Sequence, residues 1–266
     1  MDKINIDKYL CVRCGQCIVG CPGRLFYRNS LNDYPLKVEN ADKNCISCNH
    51  CVAACPVGAI TVDGVDIKMC QDFVRESIPR FEHISTLVRM RRSIRRYSEK
   101  PLEEGVIEQL MDVVRWAPTA RNGLPIKWIV VDNPKKLKEL AGLVVNWIGL
   151  QPGGQPLVDA WNKGVDPIFR GAPCLIVAYT DSTAIWPVVD ATIAVETLDL
   201  CVSAMRLGSC WAGYFIRAAQ SDPAINRWFG LTENETVQGG LMLGHIGDEA
   251  YQRIPYRPEL DLRWIR

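Results

Sequence analysis

Regular helical and strand periods of hydrophobic residues appear from Thr86 onward. In that part, apolar residues recur at helical spacing in some segments and form short continuous runs in others. The spacing predicts helices that begin at Pro101 and Pro134 and a long apolar helix that ends before Gly208. The predicted helices cover residues 101–117, 134–145 and 190–207, and the predicted strands cover 126–131, 174–179, 210–216 and 237–243. Because helices and strands alternate, we expect an α/β domain over residues 86–266.

The preceding residues have a different pattern. Two short strands are predicted at 4–6 and 59–62, at the two ends of a segment that is rich in cysteine. Residues 65–85 carry mixed charges and lack a dense apolar pattern, so we interpret them as a partly helical connector. The expected organisation is a small domain over residues 1–64, a connector over 65–85 and a larger domain over 86–266.

Composition and charge exclude several classes of protein. The chain has 266 residues, 48% of them hydrophobic and 23% charged, with a net charge of +1. This balance is typical of a globular protein and argues against a dedicated nucleic-acid-binding protein. The longest uncharged stretch is interrupted by amides, prolines and glycines, so we expect no membrane span. The first residues lack the apolar core of a signal peptide, and we expect a cytoplasmic location, where thiols stay reduced.

Eight of the twelve cysteines lie between residues 11 and 55, in two copies of one motif. Each copy has the spacing C-x2-C-x2-C-x3-C and is followed by proline. Three closely spaced cysteines can surround one cubane iron–sulfur cluster, and the fourth reaches the other cluster. One predicted set of cluster ligands is Cys11, Cys14, Cys17 and Cys55. The other predicted set is Cys45, Cys48, Cys51 and Cys21.

Two other uses of these cysteines are less consistent with the pattern. Disulfides disagree with a reducing compartment, and zinc sites use pairs of cysteines rather than runs of three plus a Cys-Pro. The segment resembles the bacterial two-cluster ferredoxins over residues 1–64, which implies two [4Fe–4S] clusters. The remaining cysteines share no ligand spacing, and we interpret them as free thiols: Cys70, Cys174, Cys201 and Cys210.

A series of motifs beyond residue 86 carries a second resemblance. The order is R-R-S-I-R-R-Y, A-P-T-A-R-N-G-L-P, G-A-P-C-L-I-V, G-S-C-W-A-G-Y-F, L-G-H-I-G and a terminal R-P. Together these motifs resemble the FMN-binding nitroreductase family over nearly the whole of residues 86–266. The implied fold class is α+β, with a two-cluster ferredoxin-like module followed by a nitroreductase-like α/β domain. The family resemblance also implies a homodimer with FMN at its interface.

The resemblance implies a set of FMN-binding residues in this chain. They are Arg91, Arg92, Ser93, Arg95, Pro118, Thr119, Ala120, Asn122, Ala212, Gly213 and Arg257. Residues 91–93 would bind the phosphate, which suits guanidinium and hydroxyl donors. Arg95 would lie near the pyrimidine edge of the flavin, where a cation stabilises negative charge on the reduced ring.

The other implied contacts come from loops. Pro118, Thr119, Ala120 and Asn122 would embrace the ring and ribityl chain. The turn at 212–213 would approach the flavin face, and Arg257 would contact phosphate, with Arg253 as the alternative. The chain departs from the family where a glutamine is common, because Leu124 cannot make an amide contact. No side chain is assigned as a proton donor. No G-x-G-x-x-G fingerprint is present, which disfavours a Rossmann nicotinamide domain.

The fusion of these two modules suggests the direction of electron flow. An external low-potential donor would reduce the clusters, the clusters would reduce FMN, and FMN would reduce an organic acceptor such as a nitroaromatic, quinone or enone. Residues 147–170 would roof the acceptor pocket, with Trp161 and Phe169 stacking on an aromatic substrate. Two alternatives stay open, a non-enzymatic electron relay or sensor and a flavin-fragmenting protein. Exposed clusters would make the protein oxygen-sensitive, as expected for an anaerobe.

Overall fold

The computed structural model describes residues 2–248 and 251–266, which form two compact units. The first unit comprises the chain up to Ile78 together with Arg121–Gly123. The second comprises Pro79–Ala120 and Leu124–Arg266. The division at Ile78 falls inside the stretch that the sequence indicated as a connector. The segment Arg121–Gly123 was expected in the larger domain, and its place in the first unit has consequences for the site.

The first unit consists of short elements around a small core. They are β1 (Ile4–Ile6), α1 (Gln16–Val19), β2 (Phe26–Tyr27), β3 (Leu36–Lys37), α2 (Ala41–Asn44), α3 (His50–Ala53) and β4 (Ile60–Val62). The two predicted strands are present as β1 and β4, which pair antiparallel with Ile4 opposite Val62. Both of those side chains are buried, as is Val52 on α3. Two single 3-10 turns follow, at Ile67–Met69 and Arg75–Ser77.

The second unit is built on one four-stranded sheet. Its helices are α4 (Phe81–Met90), α5 (Val106–Val114), α6 (Pro134–Gly149), α7 (Gln155–Asn162), α8 (Pro187–Ala204), α9 (Gly213–Ser221) and α10 (Pro223–Trp228). Its strands are β5 (Lys127–Val131), β6 (Cys174–Asp181), β7 (Gly208–Trp211) and β8 (Glu235–Gly244). The strand order is β5-β6-β8-β7, and every neighbouring pair is antiparallel.

Strand β6 explains why the sheet is covered on both faces. Residues Cys174–Ala178 are fully buried. Successive side chains point to opposite faces, so Cys174, Ile176 and Ala178 pack with α5 and α8, whereas Leu175 and Val177 pack with α6 and α9. A strand that is buried on both sides has a continuous apolar sequence rather than an alternating one.

Two predicted elements differ from the structure. The predicted strand at 210–216 ends at Trp211, and the chain turns into α9 at Gly213. The turn occurs where the Ala212 N–H donates to the Gly240 carbonyl oxygen, and the helix then buries Phe215, Ala218 and Ala219 at helical spacing. The helix predicted from Pro101 begins only at Val106, directly after Gly105, whose φ of 80° is left-handed.

The remaining boundaries shift by smaller amounts. Helix α6 continues beyond its predicted end to Gly149, and α8 begins at Pro187, where proline suits the first helical position. Within the part of the chain that the structure describes, no helix combines the length and apolarity needed to cross a membrane.

Candidate functional site

Two cavities in the first unit are each lined by four cysteines. The larger, of about 230 Å³, is lined by Cys21, Cys45, Cys48 and Cys51. The smaller, of about 20 Å³, is lined by Cys11, Cys14, Cys17 and Cys55. Each cavity therefore combines three cysteines of one run with the last cysteine of the other run. This is the grouping that the sequence predicted for two cross-ligated clusters.

The two cysteine runs fold alike, because their backbones adopt the same unusual conformations. Gly15 and Asn49, at equivalent positions before the short helices α1 and α3, have φ angles of 76° and 58°. Arg13 and Ser47, one residue before the second cysteine of each run, have φ angles of 60° and 51°. Residues with left-handed backbone let three sulfur atoms converge within a short loop.

The cysteines before the two prolines also occupy equivalent environments. The Leu25 N–H donates to Cys21 Sγ at 3.4 Å, and the Ala59 N–H donates to Cys55 Sγ at 3.2 Å. Backbone N–H groups that point at cysteine sulfur stabilise the charge of a thiolate ligand. The duplication in the sequence is thus a duplication of sulfur environments.

Burial, and to a smaller extent the neighbouring cysteines, raises the pKa of two of these thiols. Burial, followed by the nearby Cys11, raises the pKa of Cys17 to about 11. Burial and the nearby Cys45 raise the pKa of Cys51 to about 12. Thiols packed this closely need a cation to become thiolates together, which fits a cluster bound by all four. No three His, Cys, Asp or Glu side chains in residues 2–248 and 251–266 lie close enough to hold a single metal ion.

A segment distant in sequence completes the larger cavity. Arg121 lines that cavity together with the four cysteines. Asn122 Nδ2 donates to the carbonyl oxygens of Ile46 and Ser47, at 3.2 and 3.3 Å. Those two residues lie between the first two cysteines of the second run. The amide that the family resemblance assigned to the flavin is therefore placed against the second cysteine loop.

A further cavity, of about 370 Å³, lies in the second unit at the junction of β7 and α9. It brings together three of the predicted FMN-binding residues: Arg95, Ala212 and Gly213. Arg170 and Arg217 line the same cavity and were missed by the sequence analysis. Only their tertiary placement distinguishes these two arginines, because neither belongs to a motif. A Cβ added at Gly213 would meet no atom within 4 Å, so the backbone there borders open space.

The charge and shape of this cavity fit FMN. Three guanidinium groups suit an anionic ligand and a ring that gains negative charge on reduction. Small residues at 212 and 213 leave room for close approach to a planar ring. Burial raises the pKa of the Cys210 thiol beside the cavity, and the nearby Arg95 opposes that rise. Burial therefore keeps Cys210 protonated beside the cavity.

The predicted phosphate-binding residues occupy two different environments. Arg91 Nη1 lies 3.1 Å from Asp199 Oδ2, whose side chain is only 1% exposed, and Ser209 Oγ donates to the other oxygen of Asp199. Arg91 and Arg92 line a separate cavity of about 570 Å³. Ser93 instead forms a single parallel β-bridge with Ser209 of β7. Arg91 thus has a buried structural partner that its motif does not reveal.

The remaining predicted residues lie on loops. Thr119 Oγ1 accepts a hydrogen bond from the Leu124 N–H at 3.0 Å, and the Ala120 N–H donates to Asp190 Oδ1 at 3.0 Å. Pro118 precedes this turn. Arg257 and its alternative Arg253 lie in the exposed C-terminal segment, which has no helix or strand. The fold thus places Thr119 and Ala120 near α8 and leaves the terminal arginines outside the cavity at β7.

Comparisons with known proteins agree with this division. A model described as "4Fe-4S dicluster domain" matches residues 10–60, and the model of the nitroreductase family matches residues 88–245. The chain belongs to the nitroreductase family. The family model contains the sheet, α5 to α10 and the cavity at β7, whereas the dicluster model contains both cysteine runs.

Solved nitroreductases share the fold of the second unit. A nitroreductase with bound FMN from Bacteroides fragilis has 19% identity and a TM-score of 0.61, with 69% of this chain and 98% of that chain covered. A nitroreductase with bound FMN from Desulfitobacterium hafniense has 20% identity and a TM-score of 0.59, with 71% and 100% covered. At this identity the nitroreductase likeness establishes the fold.

Relatives identified by sequence belong to the same nitroreductase group. A protein of Archaeoglobus fulgidus, provisionally named NADH dehydrogenase/NAD(P)H nitroreductase, is 26% identical over 172 residues, which are 63% of this chain and 88% of that protein. A protein of Methanothermobacter thermautotrophicus with the same provisional name is 24% identical over 177 residues, covering 65% and 82%. This chain is a nitroreductase-family oxidoreductase that also carries a 4Fe-4S domain.

Proposed function

We propose that this protein is an FMN-dependent oxidoreductase that passes electrons from two [4Fe–4S] clusters to FMN and on to a small organic acceptor. The grouping of the cysteines carries the proposal. Each of two cavities is lined by four thiols, three from one run and one from the other. Thiolates are the ligands of iron–sulfur clusters, and this crossed arrangement is the one that two-cluster ferredoxins use.

The flavin half of the proposal rests on the cavity at β7. Arg95, Arg170, Arg217, Ala212 and Gly213 would hold FMN there. The bound FMN in two solved nitroreductases of the same fold supports FMN as the ligand of this domain. When bound, the clusters carry single electrons, and FMN accepts electrons singly and delivers them to an acceptor singly or as a hydride.

The side chains of this chain contribute binding and charge. Arg95 lines this cavity, and its guanidinium would stabilise negative charge on a reduced ring bound there. Arg170 and Arg217 add positive charge to the same cavity and favour an anionic ligand. The other residues that the resemblance assigned to FMN do not line this cavity, and their contacts stay predictions: Arg91, Arg92, Ser93, Pro118, Thr119, Ala120, Asn122 and Arg257.

A homodimer is part of the proposed assembly. Three apolar side chains around the start of α8 are strongly exposed, namely Trp186 at 62%, Val188 at 58% and Val189 at 49%. Exposed apolar residues grouped on one helix are typical of a surface that another subunit covers. A second copy of this chain would also supply the second half of each FMN site, as the family resemblance implies.

The proposed acceptor is small and aromatic or conjugated. Trp161 at the end of α7 and Phe169 line a cavity of about 570 Å³ in the second unit. Phe169 is only 1% exposed and packs 6.1 Å from the Phe215 ring, so it shapes the wall rather than projecting into the cavity. Among the described residues, this cavity shares no lining residue with the cavity at β7, so stacking of Trp161 on an acceptor stays a prediction. Ile168 and Arg170, from the same predicted roof, do line the cavity at β7.

One set of anaerobic measurements tests the proposed function. Freshly purified protein should contain about eight irons and one FMN per chain. Rapid mixing with a low-potential reductant should bleach the cluster absorbance first and the flavin absorbance afterwards. Eight irons with no flavin, even after FMN is added, would refute the flavoenzyme and favour the electron relay. Clusters that stay reduced beside an oxidised FMN would refute the proposed electron route.

A further inference from the structure

The segment Arg121–Gly123 is distinguished by its backbone as well as by its place in the first unit. Arg121, Asn122 and Leu124 have φ angles of 52°, 55° and 47°, which are left-handed values in residues other than glycine. Such conformations persist only where surrounding contacts hold them, and they concentrate at functional sites.

The contacts of this segment lead to the second cysteine run. The side-chain amide of Asn122 donates hydrogen bonds to the carbonyl oxygens of Ile46 and Ser47. Two further hydrogen bonds hold the same loop: Lys3 Nζ donates to the Cys45 carbonyl oxygen at 2.9 Å, and Ser47 Oγ donates to Asp63 Oδ2 at 2.6 Å. Three side chains thus fix the loop between Cys45 and Cys48 by hydrogen bonds, and Asn122 is one of them.

Arg121 brings a permanent positive charge to the same place. It lines the cavity formed by Cys21, Cys45, Cys48 and Cys51, and it is the only Arg, Lys, Asp or Glu among the described residues that line that cavity. The smaller cavity, among its described lining residues, has no charged side chain other than its cysteines. A guanidinium cannot lose its charge at any physiological pH, so its electrostatic effect is constant.

We infer that Arg121 raises the reduction potential of the cluster bound by Cys21, Cys45, Cys48 and Cys51, and that Asn122 positions the loop of that cluster. The inference rests on the proposed function, because it requires clusters at the two sets of thiols. Reduction adds one electron, supplied by a low-potential donor, and one negative charge, with no bond made or broken. A cation beside the cavity stabilises that added charge and so favours the reduced state.

Neither the cysteine motif nor the A-P-T-A-R-N-G-L-P motif indicates that Arg121 acts on a cluster. In the sequence, Arg121 is an unassigned residue of a loop matched to the flavin. In the fold, it is an electrostatic tuning residue of one cluster, and Asn122 is a positioning residue. The change in reduction potential should be confined to one cluster, because the segment Arg121–Gly123 is not among the described residues that line the smaller cavity.

Redox titration of the full-length protein under anaerobic conditions tests the role of Arg121. Dithionite would be the reductant, and electron paramagnetic resonance would follow each cluster. Here the first cluster is the one bound by Cys11, Cys14, Cys17 and Cys55, and the second is the one bound by Cys21, Cys45, Cys48 and Cys51. The Arg121→Gln variant should lower the midpoint potential of the second cluster and leave that of the first unchanged. The Arg121→Lys variant, which keeps the charge, should restore most of the difference. Because Arg121 is also exposed to solvent, the difference should shrink at high salt.

The matched control removes a charge elsewhere. Arg227 on α10 is exposed and lines neither cysteine cavity, and Arg227→Gln should change neither potential. Iron content of each variant shows that its clusters are complete. Full iron with an unchanged second potential in Arg121→Gln would overturn the inference, as would a Lys variant that behaves like Gln. Wild-type protein without clusters would overturn both proposals, whereas intact clusters that fail to reduce FMN would overturn only the proposed function.

Discussion

The guanidinium of Arg91 lies 3.1 Å from the carboxylate of Asp199, a side chain of α8 that is only 1% exposed. The same carboxylate accepts the hydroxyl of Ser209 on β7. The first arginine of the R-R-S-I-R-R-Y motif thus neutralises a buried acid and ties the segment after α4 to the core. This contact separates what Arg91 does for stability from what the motif implies for FMN.

Replacement of Arg91 should destabilise the protein without any ligand. Arg91→Ala leaves the Asp199 carboxylate buried and uncompensated, so the free energy of unfolding should fall by about 3 kcal/mol. Arg92→Ala is the matched control, because the Arg92 side chain donates to the Arg91 carbonyl oxygen rather than to a buried carboxylate. Its loss should cost less than about 1 kcal/mol. Anaerobic urea unfolding followed by circular dichroism measures both. Equal losses would show that the buried pair contributes nothing special.

Cross-ligation makes a prediction about single cysteine variants. Cys55→Ala should remove the same cluster signal as Cys14→Ala, although the two residues belong to different runs. Cys21→Ala should remove the same signal as Cys48→Ala. The measurement is electron paramagnetic resonance of dithionite-reduced protein, which resolves the two clusters. Loss of the Cys48 signal in Cys55→Ala would instead indicate that each run binds its own cluster.

The control for these variants is a cysteine outside both sets. Cys174 is fully buried in β6, and burial raises the pKa of its thiol to about 12. Cys174→Ser tests whether loss of any cysteine disturbs the clusters. Both cluster signals should persist in this variant, with four irons per cluster retained.

Asn122 can be tested through its donor. Asn122→Asp removes the amide hydrogens that reach Ile46 and Ser47 and places a carboxylate against two carbonyl oxygens. The second cluster should therefore be lost severalfold faster in the presence of an iron chelator, while the first cluster is lost at its normal rate. The time course of iron release measures this difference.

Asn133 is the matched control for Asn122. It caps α6 through its side-chain oxygen, which accepts hydrogen bonds from the Lys135 and Lys136 N–H groups. Asparagine and aspartate cap helices about equally well, and Asn133→Asp should leave iron release unchanged. Equal release rates in the two variants would contradict a positioning role for Asn122.

The arginines that the sequence missed should contribute to flavin affinity. Arg217→Gln removes one of three cations from the cavity at β7 and should weaken FMN binding by about tenfold, the value of one charge-assisted hydrogen bond. Titration of the apoprotein with FMN, followed by quenching of flavin fluorescence, gives the dissociation constant. Arg115→Gln, on an exposed arginine at the end of α5, should leave that constant unchanged. An unchanged FMN dissociation constant in Arg217→Gln as well as in Arg115→Gln would indicate that FMN binds outside this cavity.

Much of the fold could be predicted because its signals are local. The spacing of the cysteines predicts which sulfur atoms converge, since a loop of two or three residues allows few arrangements. The apolar run of β6 and the helical period of α8 need only the neighbouring residues for their interpretation. The order of motifs beyond residue 86 indicates the family, which the family model matches over residues 88–245.

Local signals failed where a short segment had two possible partners. The apolar run after Gly208 fits a strand as well as a helix, and only the pairing of β7 with β8 determines that the strand stops at Trp211. The helix expected from Pro101 begins only at Val106, because Gly105 has a left-handed backbone that interrupts a right-handed helix.

The sequence by itself determined the two sets of candidate thiols, the division into an iron–sulfur and a nitroreductase part, and the main elements of the sheet. Only the tertiary structure placed Asp199 beside Arg91, added Arg170 and Arg217 to the cavity at β7, and placed Arg121 and Asn122 against the second cysteine loop. The physical reason is range. Motifs and periods record interactions between residues close in the chain, whereas these contacts join residues 75 or more positions apart in the case of Asn122 and 108 apart for Arg91.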